Sequence, residues 1–286
     1  MIDCIIVGKG PAGISASIYL ARANLNCLVI AKGYGALEKA DKIENYYGLE
    51  QPVSGIQLAQ KGIRQAQRLG VSIITEEVVA VEWNEHFIVK TERSSYLAKT
   101  IILATGIQRK QPMIKGIKEL EGKGVSYCAV CDSFFYKGKD VAVLGSGEYA
   151  ENEIRELLPV VNSVTMVTNG EQPMEHRSSE RNIIEKEIRQ VRGEDKVQEI
   201  EFQDHSTLKI DGLFVAVGMA SSTDLARKIG AATSEKAILV DEKMRTTVPG
   251  LYACGDCTGG VLQISKAIYE GTKAALEVIR EIREAK

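Results

Sequence analysis

The chain has 286 residues, of which 44% are hydrophobic and 26% charged, and its formal net charge at pH 7 is -2. This length allows two ordinary domains, and the composition is typical of a soluble globular protein. The pI near 6.1 gives no reason to expect nucleic acid as a partner, and no apolar run approaches the ~18 residues of a membrane span.

The cysteine content points to a reducing compartment. Six cysteines in this length are too few for a secreted scaffold held together by disulfides. In a reducing cytosol a Cys-x-x-Cys pair is more often catalytic or metal-binding. No signal peptide is expected, because the sequence enters a predicted strand at once, without a basic segment or a cleavage site. The predicted location is therefore the cytoplasm.

The N-terminal elements predict an α/β fold that begins with a compact βαβ unit. Its strand, helix and second strand are predicted over Ile2–Val7, Pro11–Ala23 and Cys27–Ala31. An amphipathic helix is then predicted over Pro52–Leu69, with Ser54 as its N-cap. Short strands are predicted over Val71–Thr75, His86–Lys90 and Thr100–Ala104.

A second unit of the same kind follows. It begins with strand Asp140–Leu144, helix Glu148–Leu158 and strand Ser163–Val167, and further strands are predicted over Gly212–Val217 and Leu251–Ala253. The last helix, Gln263–Arg283, carries an apolar stripe formed by Ile264, Ala267, Ile268, Gly271, Ala275, Val278 and Ile282. That spacing is better explained by core packing than by a binding surface.

Each unit contains a glycine fingerprint between its first strand and first helix. The first is Gly8-Lys-Gly10-Pro-Ala-Gly13 and the second is Gly145-Ser-Gly147-Glu-Tyr-Ala150. Such glycines allow a tight turn and close approach of the backbone to a pyrophosphate, while the helix N-terminus supplies unpaired N–H donors. The strand–turn–helix context makes the first fingerprint a strong signal of a bound dinucleotide.

The segment Cys128-Ala-Val-Cys131-Asp132 lies between the two fingerprints and predicts redox chemistry. A Cys-x-x-Cys at a helix start can lower a thiol pKa towards neutrality, and Asp132 is placed to exchange a proton with the pair. The alternative is a structural zinc half-site completed by Cys254 and Cys257. Those two cysteines are otherwise expected to be small buried residues, as are Cys4 and Cys27.

Five motifs together resemble those of the low-molecular-weight thioredoxin reductases, in the same order and spacing along essentially the whole chain. They are Gly8–Gly13, Ile43-Glu-Asn45-Tyr-Tyr-Gly48, Ala104-Thr-Gly106, Cys128–Asp132 and Gly255-Asp256. The resemblance implies two Rossmann-like, three-layer nucleotide-binding domains, the second inserted into the first, as in class II pyridine nucleotide-disulfide oxidoreductases. An FAD-binding domain is expected over 1–112 and 245–286, and a disulfide-carrying domain over 113–244.

The resemblance also assigns cofactor, partners and roles. It implies a homodimer that binds FAD and reduces thioredoxin. Cys131 would meet the flavin, Cys128 would attack the thioredoxin disulfide, and Asp256 would bind the ribityl hydroxyls. The residues expected to contact FAD are Gly8, Gly10, Pro11, Ala12, Gly13, Asn45, Val78, Ala104, Thr105, Gly106, Asp256, Gln263 and Ile264.

The second fingerprint departs from the NADPH-dependent members of that family. Glu148 and Glu151 place carboxylates in the first helical turn, where they would repel a phosphate, and the ring of Tyr149 is bulky enough to fill the phosphate path. The expected ribose-reading strand ends at Thr168-Asn169-Gly170, where those relatives usually have His-Arg-Arg. Leu262 stands where they usually have arginine.

These departures resemble the ferredoxin-dependent flavin thioredoxin reductases, which keep FAD and the Cys-x-x-Cys pair. A basic docking face would suit an acidic ferredoxin. The segment 107–139 has three acids, Glu119, Glu121 and Asp132, and seven basic residues, Arg109, Lys110, Lys115, Lys118, Lys123, Lys137 and Lys139. An ordinary solvated surface is an equal explanation of that count.

Two alternatives remain open at this stage. Electrons could come from NADPH or NADH through an atypical site, with the cluster His176, Arg177 and Arg181 as a shifted phosphate reader. That cluster is better explained as a solvated helix start. Alternatively, the protein could be a flavoprotein that senses redox state or binds a partner without turnover, which the intact Cys-x-x-Cys-Asp segment disfavours.

Overall fold

A computed structural model describes residues 1–106, 112–173, 182–218, 220–234 and 237–284. The helices are α1 (Pro11–Arg22), α2 (Gly55–Arg68), α3 (Ala129–Asp132), α4 (Glu148–Leu157), α5 (Ser222–Lys228) and α6 (Ile264–Glu284). The strands are β1 (Ile2–Val7), β2 (Cys27–Ile30), β3 (Ser72–Ile74), β4 (Val78–Asn84), β5 (His86–Thr91), β6 (Ser95–Leu103), β7 (Val125–Ser126), β8 (Asp140–Leu144), β9 (Ser163–Val167), β10 (Asn182–Ile184), β11 (Ile188–Arg192), β12 (Glu199–Phe202), β13 (Thr207–Lys209), β14 (Gly212–Val215) and β15 (Leu251–Ala253).

The chain divides into two compact units. Unit 1 contains the described residues of 1–108 and 221–286, and unit 2 contains those of 109–220. The predicted boundaries assign residues 221–244 to the inserted domain, whereas the described residues of this range belong to unit 1. The reason lies in their contacts: α5 packs against β4, and the Ile238 amide donates to the Cys257 carbonyl at 2.8 Å.

Unit 1 is built on a mixed sheet with strand order β3-β2-β1-β6-β5-β4, and β15 pairs with β6. The strands around β1 are parallel, whereas β4, β5 and β6 form an antiparallel meander. Apolar residues of β1 and β2 share one core with α1 and α6. The two helices approach closely at Gly271, where an added Cβ would lie 2.1 Å from the Ala12 carbonyl oxygen, and the Ser15 and Thr272 hydroxyls are 3.0 Å apart.

The start of α2 shows how local sequence specifies a helix end. Ser54 is the N-cap, its side chain accepts from the Gln57 amide, and the Gln57 side chain accepts from the Ser54 amide. These reciprocal bonds satisfy two backbone donors that have no partner within the helix. The predicted N-cap at Ser54 is therefore confirmed.

Unit 2 is built on a parallel sheet with strand order β10-β9-β8-β14-β7. One face packs on the antiparallel meander β11-β12-β13, and residues of β8 and β14 share a core with Ile200 and Phe202 of β12. Helix α4 packs against β8 and β9 and buries Ile154 and Leu157. The unit thus has helix, sheet and meander in three layers.

The predicted fold class is confirmed, and the predicted strands beginning at Ile2, Asp140, Ser163 and Leu251 match the structure end to end. Strand β4 and the meander β11-β12-β13 were not predicted. In the expected stripe on α6, Ile264 and Ile268 are only half-buried while the other five residues are buried. Among the described residues, no helix is long and apolar enough to cross a bilayer.

Candidate active site

In the first fingerprint, two of the three glycines occupy positions where a side chain would not fit. Gly8 has φ +118°, and a Cβ there would lie 2.3 Å from the carbonyl oxygen of Ala104. A Cβ on Gly13 would lie 2.0 Å from the carbonyl oxygen of Gly8, whereas Gly10 has open space beside it. The turn is therefore packed on its inner side and open on its outer side, where a ligand backbone could approach.

The start of α1 is electrostatically suited to a pyrophosphate. Gly10 is its N-cap and Pro11 its first residue; no side chain caps the helix and no acidic residue lies in its first turn. The positive end of the helix dipole therefore meets no acidic side chain from the cap or the first turn of α1. A cleft of about 360 Å³ opens beside it, and Leu37, Tyr46 and Ile264 contribute to its walls. These features fit the phosphate end of FAD.

Several of the predicted cofactor residues come together around this turn. Ala104 donates its amide to the Val7 carbonyl at 2.8 Å, and Ala12 is the neighbour that a Cβ on Gly255 would meet at 2.8 Å. Asn45 donates its side-chain amide to the Gln263 side chain at 3.3 Å. Four more of the predicted FAD contacts are also described. Thr105 bonds to Ser222, Gly106 has φ +73°, Asp256 follows Gly255, and Val78 is buried at the start of β4.

Polar side chains that no sequence motif predicts meet where β2 ends. Lys9 donates from Nζ to the Lys32 carbonyl and to Thr75 Oγ1, both at 3.4 Å. Burial lowers the pKa of Lys9. Glu38 accepts from the Tyr34 amide at 2.6 Å, and its carboxylate acts in the opposite direction by raising the pKa of Lys9. No local pattern reveals Glu38, because it lies eight positions after β2.

The predicted redox pair forms a disulfide between Cys128 and Cys131. Cys128 is the N-cap of α3 and is only 4% exposed, whereas Cys131 is exposed. The Cys131 amide donates to Cys128 Sγ at 3.2 Å, which would favour a thiolate on Cys128. Among the described residues, no group of His, Cys, Asp or Glu side chains is arranged to hold a metal ion.

Buried polar groups hold the disulfide turn in place. Ser126 donates its hydroxyl to Asp132 Oδ2 at 2.6 Å and accepts from the Cys128 amide at 3.1 Å. Glu153 of α4 is 1% exposed and accepts from the Ala129 amide at 2.7 Å. The predicted proton carrier Asp132 is thereby fixed on the same turn as both sulfurs. Neither Ser126 nor Glu153 was predicted.

The second fingerprint repeats the backbone of the first. Gly145 has φ +152°, and a Cβ there would lie 2.2 Å from the Ala216 carbonyl oxygen, while Gly147 has open space beside it. Helix α4 begins at Glu148, with Glu148 and Glu151 in its first turn. The Ser146 hydroxyl donates to a carboxylate oxygen of Glu171. Three acidic residues therefore belong to this turn or contact it, and one of them, Glu148, also lies 4.0 Å from the Arg155 guanidinium.

The side chains next to this turn are used in the protein's own structure. Tyr149 is 3% exposed and donates its hydroxyl to the Tyr127 carbonyl at 3.2 Å. The expectation that its ring fills the phosphate path is therefore corrected, because the ring packs inside unit 2. Asn169 accepts at Oδ1 from the Ile188 amide at 2.7 Å. The alternative reader His176, Arg177 and Arg181 lies outside the described residues.

The remaining cysteines are buried, as expected, in unit 1. Cys4 and Cys27 face each other across β1 and β2, and Cys254 and Cys257 flank the Asp256 turn. Burial raises the pKa of the Cys27 thiol to about 11 and that of Cys257 to about 11. These thiols are protonated near neutral pH and are poor nucleophiles.

The predicted basic face is partly described. Its described lysines are all exposed: Lys115, Lys118, Lys123, Lys137 and Lys139. Lys139 donates to the carbonyl of Phe135 at 2.9 Å, and Phe135 follows the disulfide turn closely along the chain. Arg109 and Lys110 lie outside the described residues.

Comparison with known proteins defines the class. A family model described as pyridine nucleotide-disulphide oxidoreductase matches residues 2–271. Thioredoxin reductase of Bacillus subtilis is 33% identical over 303 residues, covering 99% of this chain and 95% of the relative. Thioredoxin reductase of Aquifex aeolicus is 35% identical over 296 residues, covering 96% and 92%.

Solved structures agree with this assignment. The atypical thioredoxin reductase TRi from Desulfovibrio vulgaris Hildenborough has a TM-score of 0.92 at 37% identity, with 99% of each chain covered. A ferredoxin-flavin thioredoxin reductase from Clostridium acetobutylicum has a TM-score of 0.73 at 30% identity, with 99% and 98% covered. The chain therefore belongs to the pyridine nucleotide-disulphide oxidoreductases, and within them to the thioredoxin reductase family. Thioredoxin reductases of this family are FAD flavoproteins, which confirms the expected cofactor.

Proposed function

We propose that this chain reduces thioredoxin with electrons taken from reduced ferredoxin rather than from a nicotinamide. The observation that carries the choice of donor is the second fingerprint. Its turn has Glu148 and Glu151 in the first helical turn and Glu171 bonded to Ser146. Negative charges here disfavour a bound phosphate. The polar group of Asn169, where a nucleotide reader would stand, is already bonded within unit 2.

The thioredoxin end of the proposal is supported by the disulfide turn. FAD, when bound, supplies the electron pair that opens the Cys128–Cys131 disulfide. The Cys128 thiolate then attacks a sulfur of the thioredoxin disulfide, and the other thioredoxin sulfur leaves as a thiolate. Cys131 next attacks Cys128 Sγ, which reforms the disulfide and releases reduced thioredoxin. Asp132, held by Ser126, exchanges the protons that these thiolates need.

The surface next to the turn also suits a protein substrate. Phe134 is 78% exposed and Phe135 is 66% exposed, immediately after Asp132. Two large apolar side chains exposed beside a redox centre favour a partner that covers them. Cys128 is itself buried, so its sulfur must be uncovered before it can attack the thioredoxin disulfide.

Energetics and charge are compatible with ferredoxin as the donor. A ferredoxin near about -400 mV can reduce a thioredoxin near about -270 mV with roughly 6 kcal/mol to spare for two electrons. The exposed lysines of the segment 115–139 offer a basic surface to an acidic partner. A solved relative with 30% identity is named a ferredoxin-flavin thioredoxin reductase, and this likeness supports the proposal.

NADPH or NADH remains the second candidate donor, because one observation favours it. The backbone of the second fingerprint is intact: Gly145 keeps its tight turn and Gly147 keeps open space beside it. A nucleotide could enter such a turn if its phosphates overcame the neighbouring carboxylates. Direct measurement of the donor separates the two candidates.

The decisive experiment compares donors under anaerobic conditions. The yellow holoenzyme is mixed with NADPH, NADH or chemically reduced ferredoxin, and flavin bleaching and thioredoxin reduction are followed together. Rapid bleaching by ferredoxin, with none by millimolar nucleotide, is the expected result. Rapid bleaching by micromolar NADPH or NADH would reject the donor assignment while leaving the disulfide chemistry intact.

A cysteine variant tests the exchange step and the sensor alternative. Cys128→Ser is expected to accept electrons from the donor but to lose thioredoxin reduction by about 1,000-fold or more, since it lacks the attacking thiolate. Cys27→Ser, at a buried thiol of unit 1, is the matched control and should keep turnover. Undiminished thioredoxin reduction by Cys128→Ser would contradict the proposed chemistry.

We further propose a homodimer that acts in the cytoplasm. A reducing compartment suits a catalytic Cys-x-x-Cys pair. Tyr269 and Leu276, seven positions apart on α6, are both more than half exposed and give the helix an apolar outer strip. Light scattering at micromolar concentration measures the mass, and a monomer would contradict the dimer.

A further inference from the structure

We infer that Lys266 and Glu270 form a clamp that positions the Asp256 loop for FAD, an inference that rests on the proposed contact of Asp256 with that cofactor. The loop runs from Gly255 to Gly259, between β15 and α6. Gly255 has φ +83° and Gly259 has φ +77°. Because glycine populates positive and negative φ about equally, other contacts must fix the conformation of both ends of the loop.

Lys266 holds the two ends of the loop together. Its ammonium donates to the Gly255 carbonyl at 2.8 Å and to the Gly259 carbonyl at 2.6 Å. The Thr258 hydroxyl accepts from Lys266 at 2.9 Å and donates to the Gly255 carbonyl at 2.8 Å. One charged group thus bonds to three residues of a five-residue loop. Hydrogen bonds to a charged donor are stronger than those between neutral groups.

Glu270 completes the clamp one helical turn further along α6. Its Oε2 accepts from the Gly255 amide at 2.9 Å and lies 2.8 Å from the Thr258 hydroxyl. The same oxygen lies 3.0 Å from Lys266 Nζ, and both side chains are largely buried. Residues four apart share one face of a helix, so α6 presents the cation and the anion to the loop as a rigid pair.

The loop so held adjoins the first fingerprint. A Cβ on Gly255 would lie 2.8 Å from the Ala12 Cβ, in the first turn of α1. Burial raises the pKa of Asp256 above its usual value, and the Lys266 ammonium opposes this rise while the Glu270 carboxylate adds to it. The clamp therefore fixes where the Asp256 carboxylate stands relative to α1. Because neither Lys266 nor Glu270 is assigned a contact with FAD, they are positioning residues.

The test is the rate at which diluted holoenzyme releases FAD, followed by the rise of free-flavin fluorescence. Lys266→Met and Glu270→Gln are each expected to release FAD about 10- to 100-fold faster, because the loop loses charged hydrogen bonds. Lys273→Met is the matched control on the same helix, where Lys273 lies over the Tyr269 ring. It should release FAD at the rate of the unchanged protein.

A double-mutant cycle shows whether the clamp acts through Asp256. In an Asp256→Ala background, Lys266→Met should add less than about twofold to the release rate. A full additional effect would mean a general structural role and would overturn the inference, as would unchanged release from both single clamp variants. If Lys266→Met does not fold, Glu270→Gln takes its place in the cycle. Unchanged release from Asp256→Ala would instead reject the proposed Asp256 contact.

Discussion

The two glycine fingerprints have the same backbone and opposite surroundings. In each, the first glycine is pressed against a carbonyl oxygen, of Ala104 in one case and Ala216 in the other, at 2.3 and 2.2 Å from an added Cβ. In each, the second glycine has open space beside it. The first turn of α1 has no acid, whereas that of α4 has Glu148 and Glu151.

This difference shows that the conformation of the turn and its ability to bind a nucleotide depend on different residues. The first glycine is required because the turn packs against the backbone that follows the neighbouring strand of the sheet. This packing is the same whether or not a nucleotide is bound. Binding depends on the charges that the first helical turn presents to a phosphate. A glycine fingerprint alone therefore predicts the packing of a βα unit more securely than it predicts a cofactor.

The largest expected effect comes from filling the packed glycine of each turn. Gly8→Ala and Gly145→Ala each place an alanine at a positive φ and bring its Cβ into a clash with a backbone carbonyl. Each should therefore lower the free energy of unfolding by about 3 kcal/mol or more. Only Gly8→Ala is expected to lose FAD, measured as flavin absorbance of the purified protein. Gly147→Ala, with open space beside it, is the control. Loss of FAD from Gly145→Ala alone would break the comparison.

A smaller effect is expected from giving the first turn the charge of the second. Pro11 is the first residue of α1, as Glu148 is of α4. Pro11→Glu should speed FAD release about 10-fold through repulsion of the pyrophosphate, and added salt should reduce that effect. Pro11→Gln is the neutral control and should change release much less. Equal effects of the two substitutions would show that shape, not charge, governs this turn.

Removing acidic charge from the second turn is expected to have a smaller effect than adding it to the first. The pair Glu148→Gln with Glu171→Gln removes two carboxylates from the second turn, and NADPH affinity should rise by about 10-fold at most. Asn169 remains bonded to Ile188, so no charged ribose reader is created. Equilibrium dialysis measures this gain, with Glu156→Gln on the same helix as the control. Tight NADPH binding by the double variant would show that these acids alone exclude the nucleotide.

The effect that is smallest near neutral pH concerns the cysteines, which are free thiols in unit 1 and a disulfide in unit 2. The folded pKa of Cys27 and of Cys257 is about 11, above that of a thiol in the unfolded chain. Their protonated forms therefore stabilise the fold fully below about pH 9, and this contribution of about 3 kcal/mol per thiol is lost as pH rises through 11. Denaturant unfolding at a series of pH values measures the slope. Cys27→Ala should reduce it, and an unchanged slope would contradict the assignment.

Sequence reasoning succeeded where the signal was local. The turns at Gly8 and Gly145, the cap at Ser54 and the strands around them depend on neighbouring residues and on a short period. The Cys128–Asp132 turn was found for the same reason. What was missed is held by partners distant in sequence: Glu153 reaches Ala129 from 24 positions away. The clamp residue Lys266 looked like part of an ordinary helix, because nothing in its own turn shows that the Gly255 loop folds back onto it.

The boundary at residue 220 has a similar cause. Helix α5 follows directly on strand β14 of unit 2 along the chain, and only its packing against β4 assigns it to unit 1. Tyr149 shows the opposite error. Its position in the fingerprint suggested a ligand-facing ring, but a buried hydroxyl needs a partner and finds one in the Tyr127 carbonyl.

The packing of α6 on α1 has a consequence for biosynthesis. Ser15 and Thr272 meet although 257 positions separate them, and Gly271 lies against Ala12. A ribosome has therefore made the whole of unit 2 before the helix that covers the first turn of α1 emerges. Until then the face of α1 that packs on α6 stays uncovered, so a nascent chain stalled within unit 2 would need shielding from aggregation.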